Sequence, residues 1–172
     1  MKKIVIISVF LTMIALFSCQ SKSSGSLDDK IIEQEALLFD EFEQFNQTIA
    51  EQLIQLYLQR VDSLPKDSLT PGYLFKAADI SVNLSDSPRS IVLLNRFTRE
   101  YPQHEQASMS LFLKAFVYEN QMNDTSQARM AYEEFIYRYP QSDFVEDARI
   151  AIKNMGKSPE TLIKEFEKMN GN

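Results

Sequence analysis

Apolar residues recur about every 3.6 positions in two neighbouring stretches of the sequence, 108–122 and 125–140. This pattern predicts two amphipathic helices, because that period places apolar side chains on one helix face. Asn123 and Asp124 interrupt the pattern, Thr125 is the expected N-cap of the second helix, and Pro140 ends it because proline lacks the backbone donor. The apolar positions are Leu111, Phe112, Ala115, Phe116 and Val117, then Ala128, Ala131, Tyr132, Phe135, Ile136 and Tyr139.

The same helix pair occurs once earlier in the chain, so the pattern is an internal repeat. We expect one repeat with helices over 71–84 and 88–101, and a second with helices over 105–121 and 125–139. The positions matched by a shift of 37 or 38 residues are Pro65 and Pro102, Leu74 and Leu111, Phe75 and Phe112, Ala78 and Ala115, Leu94 and Tyr132, Phe97 and Phe135, and Tyr101-Pro102 and Tyr139-Pro140.

A further helix pair is predicted before these repeats, over residues 28–41 and 49–64. Asp28 and Asp29 suit the N-terminus of the first helix, because acidic groups favour that end of the helix dipole. Asn46, Gln47 and Thr48 predict a break before the second. The alternative is one continuous helix, since a usable apolar stripe runs through the break. The expected apolar face of the first helix is Ile31, Ile32, Ala36, Leu38, Phe39 and Phe42.

A last helix pair is predicted at the C-terminal end, over residues 143–155 and 158–169. Gly156 can close the first of these helices, and Ser158-Pro159-Glu160 has the residue types of a helix start. We expect this pair to cap the stack of repeats. Each hairpin buries its apolar face only against its neighbours, so about three are needed for a stable fold.

The repeat resembles the tetratricopeptide repeat (TPR), in which small residues let two helices approach and large ones fill the space between repeats. The residues that carry the resemblance are Leu111, Ala115 and Tyr118 in the first helix, and Ala128, Tyr132 and the closing Pro140 in the second. It implies an all-α, TPR-like α-solenoid of antiparallel helix hairpins, with about seven to eight helices over residues 28–172.

The first 19 residues have the organisation of an export signal. Lys2 and Lys3 precede an apolar run over residues 4–17, which is too short to favour a membrane-spanning helix. Leu16-Phe17-Ser18-Cys19 resembles the bacterial lipobox, which implies a signal peptide over residues 1–18 and lipidation of Cys19. The alternative is an ordinary signal or buried helix with an incidental cysteine. Residues 19–27 are then the lipidated cysteine and a polar, Ser-rich tether.

The composition narrows the functional classes. Removing residues 1–18 removes Lys2 and Lys3 and no acidic residue, so the net charge moves from −6 to −8. An acidic domain without a basic stripe argues against nucleic-acid binding. Cys19 is the only cysteine, so no intramolecular disulfide can form. The few glycines and the absence of strictly alternating segments favour helices over strands.

Catalytic and cofactor motifs are not found in the sequence. His104 is the only histidine, and its place after Tyr101-Pro102 indicates an exposed turn residue. No His, Cys and Asp group has metal-ligand spacing, and no glycine-rich phosphate loop is present. We therefore expect no enzymatic activity, no cofactor, no metal and no small-molecule substrate.

In TPR proteins the first helices of successive repeats line a concave surface that holds a peptide or partner. By position, the resemblance implies a partner groove formed by Phe75, Asp79, Val82, Asn83, Met109, Phe112, Phe116, Glu119 and Asn120. Two alternatives remain open. Phe75, Phe112 and Phe116 either form the floor of an open groove or are covered by the chain's own helix 28–41 or its C-terminal helix.

The combined features predict a lipid-anchored TPR scaffold that binds other envelope proteins or peptide segments. By resemblance, its relatives are the BamD-type lipoproteins of outer-membrane protein assembly and TPR coordinators near the Tol-Pal system. Gln20 after Cys19, in the lipoproteins it resembles, favours the outer membrane. The lack of an acidic run just after Cys19 favours, by the same resemblance, a protein that faces the periplasm. The alternatives are an accessory subunit of a cell-wall enzyme and a surface-exposed structural lipoprotein.

Overall fold

The computed structural model describes residues 26–169 and 171, and this part of the chain contains eight α-helices. We number them α1 to α8 in chain order. Cys19 and residues 1–18, for which the sequence predicts a lipid anchor and a signal peptide, lie outside the described residues. The helices are α1 Leu27–Glu35, α2 Gln47–Ser63, α3 Thr70–Asn83, α4 Ser87–Glu100, α5 Ala107–Phe116, α6 Thr125–Arg138, α7 Val145–Asn154 and α8 Pro159–Met169.

Helices α2 to α7 pack in sequence order, each against the next, as expected of stacked hairpins. The predicted repeats correspond to α3 with α4 and to α5 with α6. Pro71 and Pro88 lie at the first or second position of α3 and α4. The N–H that proline lacks would have no hydrogen-bond partner within the helix at these positions. The all-α solenoid is therefore confirmed. Within the described residues the one β-type pairing is an isolated bridge between Phe39 and Phe45.

One turn conformation joins consecutive hairpins at three places along the chain. It follows Leu64, Tyr101 and Tyr139, whose φ angles are −135°, −130° and −129°. In each turn the carbonyl of that residue accepts a hydrogen bond from the N–H three positions later, at 3.1, 3.1 and 3.0 Å. Each of these residues precedes a proline, which favours extended backbone over helix. The repeated proline thus sets where each second helix ends.

The core is built from the positions that the repeat pattern singled out. Phe97 and Phe135 are 0% exposed, and they occupy equivalent places in α4 and α6. The small residues of the repeat are buried as well, which lets the paired helices approach closely. The repeat positions that are fully or nearly fully buried are Leu74, Ala78, Leu111, Ala115, Ala128 and Tyr132.

The first helix of the second repeat ends in a π-helical turn, Val117–Gln121, which the apolar pattern does not predict. The wider turn directs Gln121 back toward the preceding hairpin. Its Nε2 donates to the carbonyl of Val82 at 2.9 Å, and its Oε1 accepts from the Ser87 hydroxyl at 3.0 Å. The turn therefore ties the two repeats together at the α3–α4 junction.

Asparagine and aspartate cap the helices that start after short turns. Asn46 accepts from the N–H groups of Thr48 and Ile49, which confirms the predicted break before α2. The N-cap of α6 is Asp124, which accepts from the Gln127 N–H at 2.9 Å. The prediction of Thr125 as the N-cap was wrong by one residue, because the carboxylate one position earlier makes this bond.

The first helix is shorter than predicted and ends at Glu35 instead of residue 41. Residues 36–46 form a loop closed by the Phe39–Phe45 bridge, and their rings lie 5.8 Å apart. Ile31 is buried as expected. The expected apolar face was otherwise largely wrong, because Ile32, Phe39 and Phe42 are 64%, 55% and 73% exposed.

Polar contacts hold α1 against α2 and α3. The Glu35 carboxylate accepts from the Tyr57 hydroxyl at 2.6 Å and from the Lys76 ammonium at 2.7 Å. The buried Arg60 guanidinium donates to Asp28 at 2.8 Å. These bonds attach both ends of α1 to the neighbouring helices. They matter because α1 buries only one large apolar side chain, Ile31.

The C-terminal pair differs from the expected cap. Gly156 closes α7 with a φ of +78°, a conformation that glycine adopts without strain. An end cap would present a polar outer face, yet Ile150, Ile163 and Phe166 are 48%, 58% and 63% exposed. Among the described residues, no helix combines the length and apolarity needed to span a bilayer.

Candidate functional site

The candidate groove lies on the first helices of the hairpins, α3 and α5, with the start of α7 beside them. Phe75, Met109 and Phe144 from these three elements line one open cavity of about 510 Å³. We call it the Phe75 cavity. Its remaining lining is polar and partly acidic, and consists of Glu105, Gln106, Ser108, Gln141, Ser142 and Asp143. Of the nine predicted groove residues, Phe75 and Met109 therefore lie together around one concave space.

The floor of the Phe75 cavity is fixed by aromatic packing. Phe75 is half-buried and meets the buried Phe97 edge to face, with ring centroids 5.7 Å apart. Phe97 in turn meets His104 at 5.5 Å, nearly perpendicular. His104 lies in the turn after Tyr101, as predicted, but it is half-buried and not exposed. Its Nδ1 accepts from the Gln106 N–H at 3.2 Å, so it supports the turn that borders the cavity.

Phe112 lies between the repeats and is half-buried. Its ring lies 5.6 Å from Tyr132, 5.5 Å from Phe135 and 5.3 Å from Phe144. Its apolar cluster is formed by α5, α6 and α7, with the turn residues next to them. Phe112 is therefore covered by its neighbours in the stack and not by either end helix.

Phe116 and the polar candidates follow toward the C-terminal ends of α3 and α5. Phe116 is 38% exposed and is the most open of the three phenylalanines. Asn83 and Asn120 are exposed, and each donates to a carbonyl one turn earlier, of Asp79 at 3.0 Å and of Phe116 at 3.1 Å. This end of the face therefore offers amide groups to a partner.

Two carboxylates on this face differ in environment. Burial raises the pKa of Asp79, and no ion pair to Asp79 is found in the described part of the chain. Glu119 accepts from the Tyr132 hydroxyl at 2.9 Å. Burial, together with this bond, raises the pKa of Tyr132. Glu119 thus has a hydrogen-bond partner within the protein, whereas Asp79 has no ion-pair partner among the described residues. Carboxylates whose pKa is perturbed, as that of Asp79 is, are common at functional sites.

Val82 takes no part in an open groove, because it is 8% exposed and lies in the core. The prediction placed it on the surface from helix position alone. The carbonyl of Val82 instead receives the Gln121 side chain, so this position joins the repeats.

Phe144 is the apolar lining residue that the sequence reasoning missed, and the polar lining residues were missed with it. It stands at the N-cap position of α7, as Leu69 and Gln106 do for α3 and α5. These three residues are separated by the same 37 and 38 positions as the repeats. Extending the repeat alignment through the turns, and not only through the helices, would have identified it.

The groups on this face suit recognition of another chain. Apolar rings at the floor can hold an apolar side chain, and the surrounding amides and carboxylates can bind backbone N–H groups or basic side chains. No cluster of His, Cys, Asp or Glu that could hold a metal ion occurs among residues 26–169 and 171.

Stacked hairpins with a concave cavity on their first helices define the class of the protein, an all-α TPR-type repeat protein. A model of the YfiO family, described as outer membrane lipoprotein, matches residues 81–159, which run from the last residues of α3 to the first residue of α8. The resemblance to a BamD-like TPR lipoprotein is confirmed over that segment. No curated protein matches the chain.

Proposed function

We propose that this protein is a lipid-anchored scaffold that binds other envelope proteins through the Phe75 cavity and the adjoining face of α3 and α5. It acts at the periplasmic side of the outer membrane, in assembly of outer-membrane proteins or in maintenance of the envelope. The match to a family of outer membrane lipoproteins supports the location at the outer membrane and the lipid anchor.

The cavity is the observation that carries the protein-binding role. Exposed apolar side chains in a concave space next to polar groups are typical of sites for a peptide segment. Phe75 and Met109 are only half-buried there, whereas Phe97 and Phe135 are completely buried. We infer that the ligand is a segment with a large apolar side chain for the floor and with backbone or basic donors for Glu105 and Asp143.

Purification of bound proteins from membranes tests this role. We expect Met109→Glu to reduce recovery of the bound protein about tenfold or more, because it places a charge on the apolar floor beside Glu105 and Asp143. Val92→Glu is the matched control, since Val92 is 65% exposed on α4. Both variants should keep the helical circular-dichroism spectrum. Equal recovery with both variants would contradict the assignment of the cavity.

The anchor is tested separately at Cys19. We expect Cys19→Ser to abolish incorporation of labelled palmitate and to move the protein out of the membrane fraction, because no other cysteine is available for lipidation. Unchanged partitioning of Cys19→Ser between membrane and soluble fractions would show that the attachment does not depend on this thiol.

A further inference from the structure

The 36–46 loop carries an exposed apolar surface that neither the repeat fold nor the Phe75 cavity explains. Phe42, at its tip, is 73% exposed, Phe39 is 55% exposed and Leu37 is 50% exposed. Ile32, just before the loop on α1, is 64% exposed, although its neighbour Ile31 is 1% exposed. Four large apolar side chains within eleven positions thus face solvent. A cluster of this kind marks an interaction surface, whereas single exposed residues are ordinary.

The backbone of this loop is fixed by hydrogen bonds. The Asp40 carboxylate accepts from the N–H groups of Phe42 at 2.8 Å and Gln44 at 2.9 Å. The Asn46 N–H donates to the Leu38 carbonyl at 2.8 Å, which closes the base of the loop. Glu43 takes a left-handed conformation with a φ of +59°, so the loop keeps a tight turn at a non-glycine residue. The loop therefore presents Phe42 in a defined position at little entropic cost on binding.

The chain before the structured part indicates what this surface meets. Cys19, the expected lipid attachment point, precedes Ser26, the first described residue, by seven positions, which span at most about 25 Å. Helix α1 has nine residues and is about 14 Å long, and the loop follows at its far end. The tether is longer than the helix, so both ends of α1 can lie against the membrane that holds the lipid.

We propose that the 36–46 loop is a membrane-contact site that inserts Phe42 into the headgroup region of a zwitterionic phospholipid surface. Phenylalanine and leucine side chains on the apolar face of interfacial segments are buried at the boundary between headgroups and acyl chains. The acidic side chains of Glu41 and Glu43, on either side of Phe42, then lie among the headgroups, where ethanolamine ammonium groups can pair with them. The same carboxylates are repelled by anionic lipid. This inference rests on the lipid anchor of the proposed function.

Such a contact orients the scaffold as well as holding it. The lipid on Cys19 fixes only one point, through a polar, Ser-rich tether. A second contact at Phe42 sets the angle of α1. Glu35 at the end of α1 forms hydrogen bonds with Tyr57 of α2 and Lys76 of α3. The angle between α1 and the membrane therefore also sets the orientation of the repeat stack.

The test uses the mature, lipidated protein on phosphatidylcholine–phosphatidylethanolamine vesicles that contain a nitroxide-labelled phospholipid. Lipidation blocks Cys19, so Glu41→Cys supplies the one thiol for a fluorescent label. We expect quenching of this label by the nitroxide lipid. Adding Phe42→Ser should reduce the quenched fraction about tenfold or more, because a buried phenylalanine ring accounts for at least that factor in partitioning. Replacing part of the zwitterionic lipid with phosphatidylglycerol should weaken quenching.

Val92 provides the matched controls, since it is as exposed as the loop residues but lies among Arg89 and Arg96 on α4. A label on Val92→Cys should stay unquenched, and Val92→Ser should leave quenching of the label at position 41 unchanged. An unquenched label at position 41 on protein that floats with the vesicles would overturn this inference alone. Protein that does not float would overturn the anchor and the membrane contact together. An unquenched label on vesicles, together with crosslinking of a photoreactive residue at position 41 to a protein in whole cells, would assign the loop to a protein partner instead.

Discussion

At the scale of single residues, polar side chains decide where the repeats join and how the candidate face differs from the rest of the surface. Gln121 reaches the Val82 carbonyl and the Ser87 hydroxyl across the repeat boundary. Asp79 lies on the candidate face, and burial raises its pKa. The Gln121 hydrogen bonds stabilise the stack. The buried Asp79 carboxylate lowers stability, and a residue with a purely structural role would not be expected to keep such a cost.

Asp79→Asn is therefore expected to raise the thermal unfolding midpoint at pH 7. A raised carboxyl pKa means that the ionised form destabilises the folded state, and that this cost disappears as the pH falls through the raised value toward the ordinary 3.8. The gain from the amide should be small, since part of the side chain faces solvent, and it should vanish in acid. Thermal melts across that pH range measure it. Glu133→Gln, at an exposed position, is the control, and an equal gain there would contradict the role of burial.

The roles of individual residues were the hardest feature to predict from the sequence. Leu111, Ala115 and Tyr132 follow the repeat and were identified from spacing alone, because buried positions must recur with the helix period. Val82 has the same spacing as surface residues of the face but is buried, and Phe144 lies in a turn that helix periodicity does not address. Periodicity gives the side of a helix, whereas exposure depends on what the neighbouring hairpin covers.

At the scale of elements, α1 is attached to the stack mainly by polar contacts. Burial raises the pKa of Glu35. The hydrogen bonds from Lys76 and Tyr57 outweigh this effect and hold the pKa below its ordinary value. The Lys76 ammonium also lies 5.7 Å and 5.8 Å from the ring centroids of Tyr57 and Tyr73. The attachment of α1 should therefore depend on pH.

Lys76→Met should lower the free energy of unfolding at pH 7 by about 1 kcal/mol, the sum of a partly exposed ion pair and cation–π contacts. A lowered carboxyl pKa gives stability that is present above the ordinary value of 4.5 and is lost as the pH falls through the lowered one. Urea unfolding at pH 7 and at about pH 3.5 should show the difference between the two proteins shrinking in acid. Lys66→Met, at an exposed turn position, is the control. A difference that stays constant with pH would rule out Glu35 as the partner that matters.

The helices themselves were largely predictable, and the exceptions have local causes. Prolines and capping residues fixed the starts and ends of α2 to α6 within a few positions. The sequence did not show that α1 ends at Glu35, since the apolar stripe continues through Phe39 and Phe42. Asp40 stabilises the loop that follows, because its carboxylate binds two N–H groups of a turn instead of leaving them to a helix. The π-turn at Val117–Gln121 has no periodic signal of its own.

At the scale of the whole molecule, two surfaces lie on different parts of one stack. The 36–46 loop follows the tether and is assigned to the membrane, whereas the Phe75 cavity lies between α3, α5 and the start of α7. The stack connects them through shared cores, since consecutive helices from α2 to α7 pack on one another. If both proposals hold, a partner bound in the cavity is held near the membrane.

The most direct measurement of the central claim is photocrosslinking in whole cells, with a photoreactive amino acid at Met109 and, as the control, at Val92. Met109 lines the Phe75 cavity, and Val92 is 65% exposed on α4. The account predicts a discrete protein adduct in the membrane fraction from position 109 and none from position 92. Equal adduct patterns from both positions, or lipid as the only crosslinked species at position 109, would contradict a protein-binding cavity.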